Sequence, residues 1–416
     1  LSPEFTIQRL GADGDGVAEG PVRIARTLPG EHVRATIARP PRAVLEDVLL
    51  ASPQRRAPAC GHFADCGGCS LQHFEESAYA AWKRGLVADA LIRAGFDPSA
   101  LGPLERTPLG TRRRMDFAAR RVPGGVHLGL HAAHSETIID IAVCPVLHPA
   151  LVALLDPLRI LLRGLDAMRS RCDVIANLYD DGADLLLRLD AAPNAHDRMK
   201  LAAFAELHRV ARIACATGTG APEVAAQLRT PTIRFAGVSV APAPGAFLQA
   251  SATGEAAIVG AVLASLPRRL RPRARIVELF AGNGTLTFPL ATRARVQAFE
   301  GDAAAAASLR RAAGGTRVEA AHRDLAQQPL QPADFAGAAA VVLDPAFAGA
   351  AAQMPPLAAA RVPCVIYVSC NPAALARDSA VLRRAGYHLA AATPIDAFLW
   401  SAHVEAVCAF HIDSRT

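Results

Sequence analysis

The stretch Ile276-Val277-Glu278-Leu279-Phe280-Ala281-Gly282-Asn283-Gly284-Thr285 decides the fold. An apolar β-rich run that ends in a glycine turn and leads into a helical pattern from Leu286 reads as the first strand of a βαβ unit. Downstream the pattern repeats. Val296–Glu300 is a second strand ending in an acid, Ala303–Ala313 is helical, and Arg317–Ala320 leads to Asp324. Ala338–Leu343 then runs into Asp344-Pro345, and Cys364–Val368 into Ser369-Cys370. This rhythm is that of a doubly wound parallel sheet. In such a sheet Gly282 and Gly284 let a ligand approach the backbone, and an acid ending the second strand can accept both ribose hydroxyls. The pyrophosphate fingerprint G-x-G-x-x-G is not completed, because Thr287 stands at its last position, so S-adenosylmethionine suits the turn better than a dinucleotide.

Cys370 follows a buried strand and precedes Asn371-Pro372 and a helical pattern over Ala373–Arg384. A helix N-terminus lowers a nearby thiol pKa, which makes Cys370 a candidate nucleophile. The alternative is a packed core cysteine.

Upstream, residues 6–52 show short alternating runs broken by Gly and Pro, the pattern of a small barrel of the kind that binds single-stranded nucleic acid. Arg23, Arg26, His32, Arg34, Arg39 and Arg42 are candidates for its nucleic-acid face. Leu1-Ser2-Pro3-Glu4-Phe5 looks like a cloning linker and is set aside from the fold. Cys60-(x5)-Cys66-Gly67-Gly68-Cys69 reads as a metal or cluster nest, with Cys144 before Pro145 as the candidate fourth ligand. Four thiolates suit zinc or an iron–sulfur cluster, and spacing does not separate them. Ser77–Phe96 is an amphipathic helix, and Arg112-Arg113-Arg114 is a candidate phosphate contact.

The chain has 416 residues, nine cysteines and a formal net charge of +6, with Lys83 and Lys200 its only lysines. An odd cysteine count argues against a disulfide framework and for a reducing cytoplasm. No apolar run approaches the roughly 18–20 residues of a membrane span. The basic excess permits nucleic-acid binding without requiring it.

Taken in order, these elements resemble a known family. Cys60–Cys69, Leu128-Gly129 through Ile139-Asp140-Ile141-(x2)-Cys144-Pro145, Gly245-(x3)-Gln249 and Glu278–Gly282 come first. Leu343-Asp344-Pro345, Val368–Pro372 and His403-Val404-Glu405 complete the set. Together they are similar to the bacterial RNA uridine C5-methyltransferases that carry a TRAM barrel and a four-iron cluster. The resemblance spans essentially the whole chain. It implies a Rossmann-like S-adenosylmethionine-dependent methyltransferase domain (251–416), an N-terminal OB-type TRAM barrel (1–54) and a central α+β iron–sulfur domain (55–250), with helix 77–96 packed on the catalytic part. It further implies a 4Fe–4S cluster on Cys60, Cys66, Cys69 and Cys144. S-adenosylmethionine would be held by Gln249, Phe280, Gly282, Gly284, Thr285, Glu300, Asp324 and Asp344. In that chemistry Cys370 adds to uracil C6, Glu405 removes the C5 proton, and Asp344 lies beside the target base. The expected partner is RNA, foremost 23S rRNA with tRNA as the alternative, met by a monomer in the cytoplasm.

Two positions depart from the family. Phe347 follows Asp344-Pro345-Ala346 where an arginine is common, and Ala397 stands between Asp396 and Phe398 where glutamine is common. Competing readings are a cytosine C5-methyltransferase, disfavoured because no cysteine follows strand four, a non-catalytic RNA-binding relative, and a redox iron–sulfur protein.

Overall fold

A computed structural model describes residues 2–412. Five strands, Glu4–Leu10, Gly16–Ala18, Arg23–Ile24, His32–Arg39 and Arg42–Leu50, close into a barrel around Ile7, Ile24, Val33 and Ala35. Gly16 is obligatory there, because a Cβ would come within 2.9 Å of Ile7 and closer still to Thr27. Glu4 and Phe5 are not a dispensable linker. Glu4 pairs with Arg34 and Phe5 with Val33 across the strands, and the Phe5 ring packs on the barrel core. The expected nucleic-acid face is also largely spent internally. Arg23 pairs with Asp13 at 2.6 Å, Arg42 with Asp13 and Asp15, and His32 and Arg34 with Glu4.

A seven-stranded sheet follows. Its order is Glu223–Gln227, Arg212–Thr217, Gly182–Leu189, Arg171–Tyr179, Arg114–Val122, Gly125–His131, Ile138–Asp140. The helices Leu155–Gly164 and Ala195–His208 bury its leucine-rich face. The arginine triplet before it joins segments rather than facing solvent. Arg113 pairs with Glu255 at 2.7 Å, Arg114 donates to the Ala246 carbonyl, and Arg112 donates to the Arg114 carbonyl and lies over the Phe398 ring.

The C-terminal sheet has eight strands in the order Val318–His322, Arg295–Glu300, Arg275–Leu279, Ala338–Leu343, Cys364–Ser369, Glu405–His411, His388–Asp396, Glu105–Arg106. The first five are parallel, and Glu405–His411 runs antiparallel between its neighbours. Strand order reverses about Arg275–Leu279, the place where open α/β sheets bind ligands at their carboxyl edge. The last strand comes from far upstream. So does helix Glu76–Arg93, whose Val87, Ala90 and Leu91 share a core with Leu382 and Phe410.

A buried ion pair fastens that helix. Lys83 donates to Asp396, and the Tyr79 hydroxyl donates to the other Asp396 oxygen at 2.8 Å. Both charged side chains are fully buried. Removing one partner of such a pair leaves an uncompensated charge, so Lys83→Met is expected to destabilise the fold by about 3–5 kcal/mol in urea unfolding. Combining Lys83→Met with Asp396→Leu removes both charges together and should recover much of that loss.

Candidate active site

The carboxyl edge of the eight-stranded sheet gathers the chemistry. Arg275–Leu279 ends in Phe280, which has φ of 63°, and turns through Gly282 and Gly284. Gly284 has φ of 102°, and a Cβ on it would lie 2.5 Å from the Phe288 ring, so only glycine fits. The helix expected from Leu286 is the short Thr287–Ala291. Glu300, ending the next strand, accepts from the Gly282 amide at 2.7 Å and the Asp302 amide at 2.6 Å. These two bonds fix its carboxylate at the turn. Asp324 is exposed beyond the third strand and uses one oxygen to cap the turn at Ala326 and Gln327. Gln249 is buried, its carbonyl held by Arg113 at 3.3 Å. It lies on the loop that begins at Gly245, where a Cβ would strike Leu186 at 2.5 Å. Thr285 is half-buried in the turn.

Three buried polar atoms at this edge have no hydrogen-bond partner: Glu278 Oε2, Asn283 Oδ1 and Thr287 Oγ1. Burial pushes the Glu278 carboxyl up to about 8; the neighbouring Thr287 hydroxyl pulls it back down in part, and repulsion from Asp344 and Glu300 adds to the rise. An orphaned set of this kind carries a desolvation penalty that a polar, cationic ligand would relieve. The edge therefore fits S-adenosylmethionine, which offers a sulfonium and an ammonium. Glu278 belongs to the Glu278–Gly282 motif but is absent from the cofactor residues that the resemblance implies; its burial and unpartnered oxygen add it to the candidates.

The Ser369-Cys370-Asn371-Pro372 turn is built by its own side chains. Ser369 Oγ donates to the Asn371 carbonyl at 3.0 Å and accepts from the Asn371 amide at 3.2 Å, which holds the loop around Cys370. Asn371 caps the helix Pro372–Arg384 by accepting from the Ala373 amide at 2.9 Å. Pro372 occupies the first turn, where a missing N–H costs nothing. Cys370 itself is half-buried.

Strand register brings in the rest. Ser369 pairs with Ala406, so Cys370 lies across from Glu405, the first residue of the adjacent strand. Leu343 pairs with Tyr367, which sets Asp344 at the same edge. Burial lifts Glu405 to about 8, with Asp344 adding repulsion, and lifts Asp344 to about 7. The Cys370 thiol is pushed up to about 12 by burial first and then by Glu405 and Asp344. This reverses the expectation of a lowered thiol pKa. Asn371 already occupies the helix end, and two carboxylates face the sulfur, so the helix dipole does not prevail.

Cys370 also lines a groove of about 1040 Å³. Its other walls are barrel residues Gln8, Arg9 and Asp13, helix residues Trp82 and Arg93, and Phe347.

A second cavity, of about 370 Å³, is lined by all four candidate ligand cysteines, Cys60, Cys66, Cys69 and Cys144. The Cys66–Cys69 loop lies flat on strand Gly125–His131. The Gly67 amide donates to the His131 carbonyl at 2.9 Å, where a Cβ would approach that oxygen to 2.7 Å. Burial raises Cys66, Cys69 and Cys144, and mutual repulsion adds to each; Cys69 reaches about 11. Among the described residues no three Cys, His, Asp or Glu side chains are grouped so as to hold a single metal ion. Phe398, Ser401 and His403 line this cavity too, and His403 also lines the groove beside Cys370.

A half-buried cysteine, a carboxylate across from it and a glycine turn at the switch point thus lie on one sheet edge. Comparison with known proteins carries this further. The chain is 42% identical to an uncharacterised RNA methyltransferase of Brucella suis, covering 97% of this chain and 96% of that protein. It is 34% identical to the 23S rRNA (uracil(1939)-C(5))-methyltransferase of Halomonas elongata, covering 97% and 88%. The crystal structure of the Pyrococcus abyssi tRNA (uracil-54, C5)-methyltransferase with S-adenosyl-L-homocysteine shares the fold, with a TM-score of 0.74 at 20% identity over 98% of this chain and 99% of that one. No family model matches. The chain belongs to the S-adenosylmethionine-dependent RNA methyltransferase family that includes the 23S rRNA uracil-C5 enzymes.

Among the described residues no helix is long and apolar enough to cross a membrane.

Proposed function

We propose that the protein methylates C5 of a uridine in 23S rRNA through a covalent adduct with Cys370. The observation that carries the reading is the register that sets Glu405 across from Cys370, which itself lines a groove shared with the barrel. Uracil C5 is too weak a nucleophile to take a methyl group unaided. Once the Cys370 thiol has given its proton to solvent, addition of the thiolate to C6 forms an S–C6 bond and moves the C5–C6 π electrons into an enolate, which makes C5 nucleophilic. S-adenosylmethionine supplies the methyl group. Glu405 then takes the C5 proton, the C5–C6 double bond re-forms and the S–C6 bond breaks. A carboxyl lifted to about 8 is a matched acceptor for that proton. Asp344, lifted to about 7, can carry a proton and donate a hydrogen bond to the uracil oxygen on which enolate charge develops. Because C5 is hidden in a stacked helix, the target base must leave its stack, which suits a loop.

The cofactor roles follow from position. Glu300 accepts the ribose hydroxyls with the lone pairs not used by Gly282 and Asp302. Asp324 offers its free oxygen to the adenine edge, while Gln249, Phe280, Gly282, Gly284 and Thr285 wall the pocket and Asp344 closes it. The segmentation proposed is a barrel over 1–54, a cluster-bearing part over 55–250 and a methyltransferase part over 251–416, with residues 76–106 contributed back to the last.

The four cysteines would hold a 4Fe–4S cluster. Four thiols with no carboxylate among them form a soft donor set, and their mutual repulsion calls for a cationic centre. Its place beside Phe398 and His403 points to a supporting role for the groove wall. Protein prepared without oxygen should contain about four irons and four acid-labile sulfides per chain. Stoichiometric zinc with no sulfide would replace the cluster.

The target is tested by mapping 5-methyluridine in 23S rRNA and tRNA from a strain lacking the gene. Loss from 23S rRNA alone is expected. Loss from the tRNA T-loop alone would move the assignment to tRNA, and no loss from either would remove the activity.

A further inference from the structure

The surroundings of Phe347 give it a defined place at the site. It is 57% exposed, yet its loop is rigid. The Gly349 amide donates to the Ala346 carbonyl at 2.8 Å and the Ala350 amide to Asp378 at 2.7 Å. Arg377 donates to the Ala348 carbonyl at 2.8 Å. Gly349 has φ of 80°, and a Cβ there would lie 2.6 Å from Asp378, so the loop accepts nothing larger. Asn371, next to the nucleophile, donates its side-chain amide to the Phe347 carbonyl at 2.9 Å. The ring position is thereby tied to the Cys370 turn.

The ring does not stand alone. His403 meets it edge-to-face at 6.0 Å, Phe398 meets His403 at 5.9 Å, and Arg112 lies 5.6 Å over Phe398. This ladder runs from the cysteine cavity to the mouth of the groove that Cys370 lines. A single exposed apolar side chain is ordinary on a protein surface. An exposed aromatic ring on a pinned loop, buttressed from behind and placed at the rim of a nucleophile's groove, is a stacking platform.

We infer that Phe347 stacks on an RNA base flanking the target uridine. The inference rests on the proposed methylation of uridine at Cys370. The target base itself must reach Cys370, Glu405 and Asp344, whereas Phe347 lies three residues past Asp344 at the rim, so the base it meets is a neighbour. Stacking is tolerant of base identity and insensitive to salt, unlike a phosphate contact. Arginine at this position would favour the backbone charge; phenylalanine favours an unpaired, splayed base.

The experiment compares wild type with Phe347→Ala, Phe347→Leu, Phe347→Tyr and Phe347→Arg on whichever unmodified transcript, 23S rRNA or tRNA, the wild type methylates. Phe347→Ala should raise KM for RNA about tenfold while kcat stays within about threefold. Phe347→Leu should be no better, since it restores apolar bulk without a π face, and Phe347→Tyr should restore wild-type KM. The dependence of log KM on log salt should be unchanged in all three. Melting temperature should also stay put, because the side chain is exposed. Rescue by leucine, or a tighter KM with a steeper salt slope in Phe347→Arg, would overturn stacking in favour of bulk or phosphate binding. Wild-type kinetics in Phe347→Ala sinks this inference alone. A wild type that methylates neither transcript sinks the uridine reading and this inference with it.

Discussion

Cys370→Ala is expected to abolish methyl transfer, lowering kcat/KM by about 10⁴-fold or more, as loss of a covalent nucleophile does. The same substitution should leave melting temperature and S-adenosylmethionine binding close to wild type, because Cys370 is only half-buried and Ser369 and Asn371 make the bonds that shape its turn. RNA containing 5-fluorouridine provides the positive control. Fluorine at C5 leaves no proton for a base to remove, so the wild-type enzyme should be trapped as a methylated RNA–protein adduct stable to denaturing electrophoresis. Cys370→Ala should form none. In the free protein the thiol lies at about 12, with Glu405 and Asp344 opposing ionisation. Little thiolate is present near neutral pH, and the sulfur should react slowly with iodoacetamide until substrates bring positive charge and a proton acceptor into register. Turnover retained in Cys370→Ala would end the covalent reading.

Legibility in the sequence followed the range of the interactions. The glycine turn at 282–284 and the acid at Glu300 lie within one βαβ unit, so local pattern was enough to place them. The three cysteines within ten residues were equally plain, and the structure draws Cys144 to the same cavity from far along the chain. Glu405 beside Cys370 was different. It depends on an antiparallel strand inserted between two others, and no local periodicity announces which carboxylate such a register selects. It came through resemblance instead. The Lys83–Asp396 pair spans 313 residues and left no trace in either segment beyond a lysine in an arginine-rich chain. Arginine partners were out of reach for the same reason: a charge looks free until its partner is placed, and Asp13, Asp15, Glu4 and Glu255 pair with several of them. Cys370 was read with the helix dipole alone, and the carboxylates that outweigh it arrive from two other strands.

Those carboxylates make the second large effect. Glu405→Gln keeps the shape of the side chain and removes its ability to accept a proton. Addition of Cys370 and methyl transfer should still occur, while elimination stalls, so turnover should fall by about 10²–10⁴-fold and a covalent complex should accumulate on ordinary RNA. That complex should contain the methyl group, which labelled S-adenosylmethionine would reveal and which separates it from a bare addition product. The charge change adds a kinetic signature. Glu405 is the nearest cause after burial of the raised Cys370 thiol, so its neutral replacement should lower that thiol and make single-turnover adduct formation at least as fast as in wild type. The pH profile has a matching sign. Glu405 at about 8 acts as a base only when ionised, whereas Asp344 at about 7 donates only while it keeps its proton. Wild-type kcat should therefore follow a bell with its maximum between the two values, and the rising limb should vanish in Glu405→Gln. If Glu405→Gln instead turns over normally with the wild-type pH limb intact, the C5 proton leaves by way of another group, and Asp344, the other carboxyl that acts on Cys370, becomes the residue to replace.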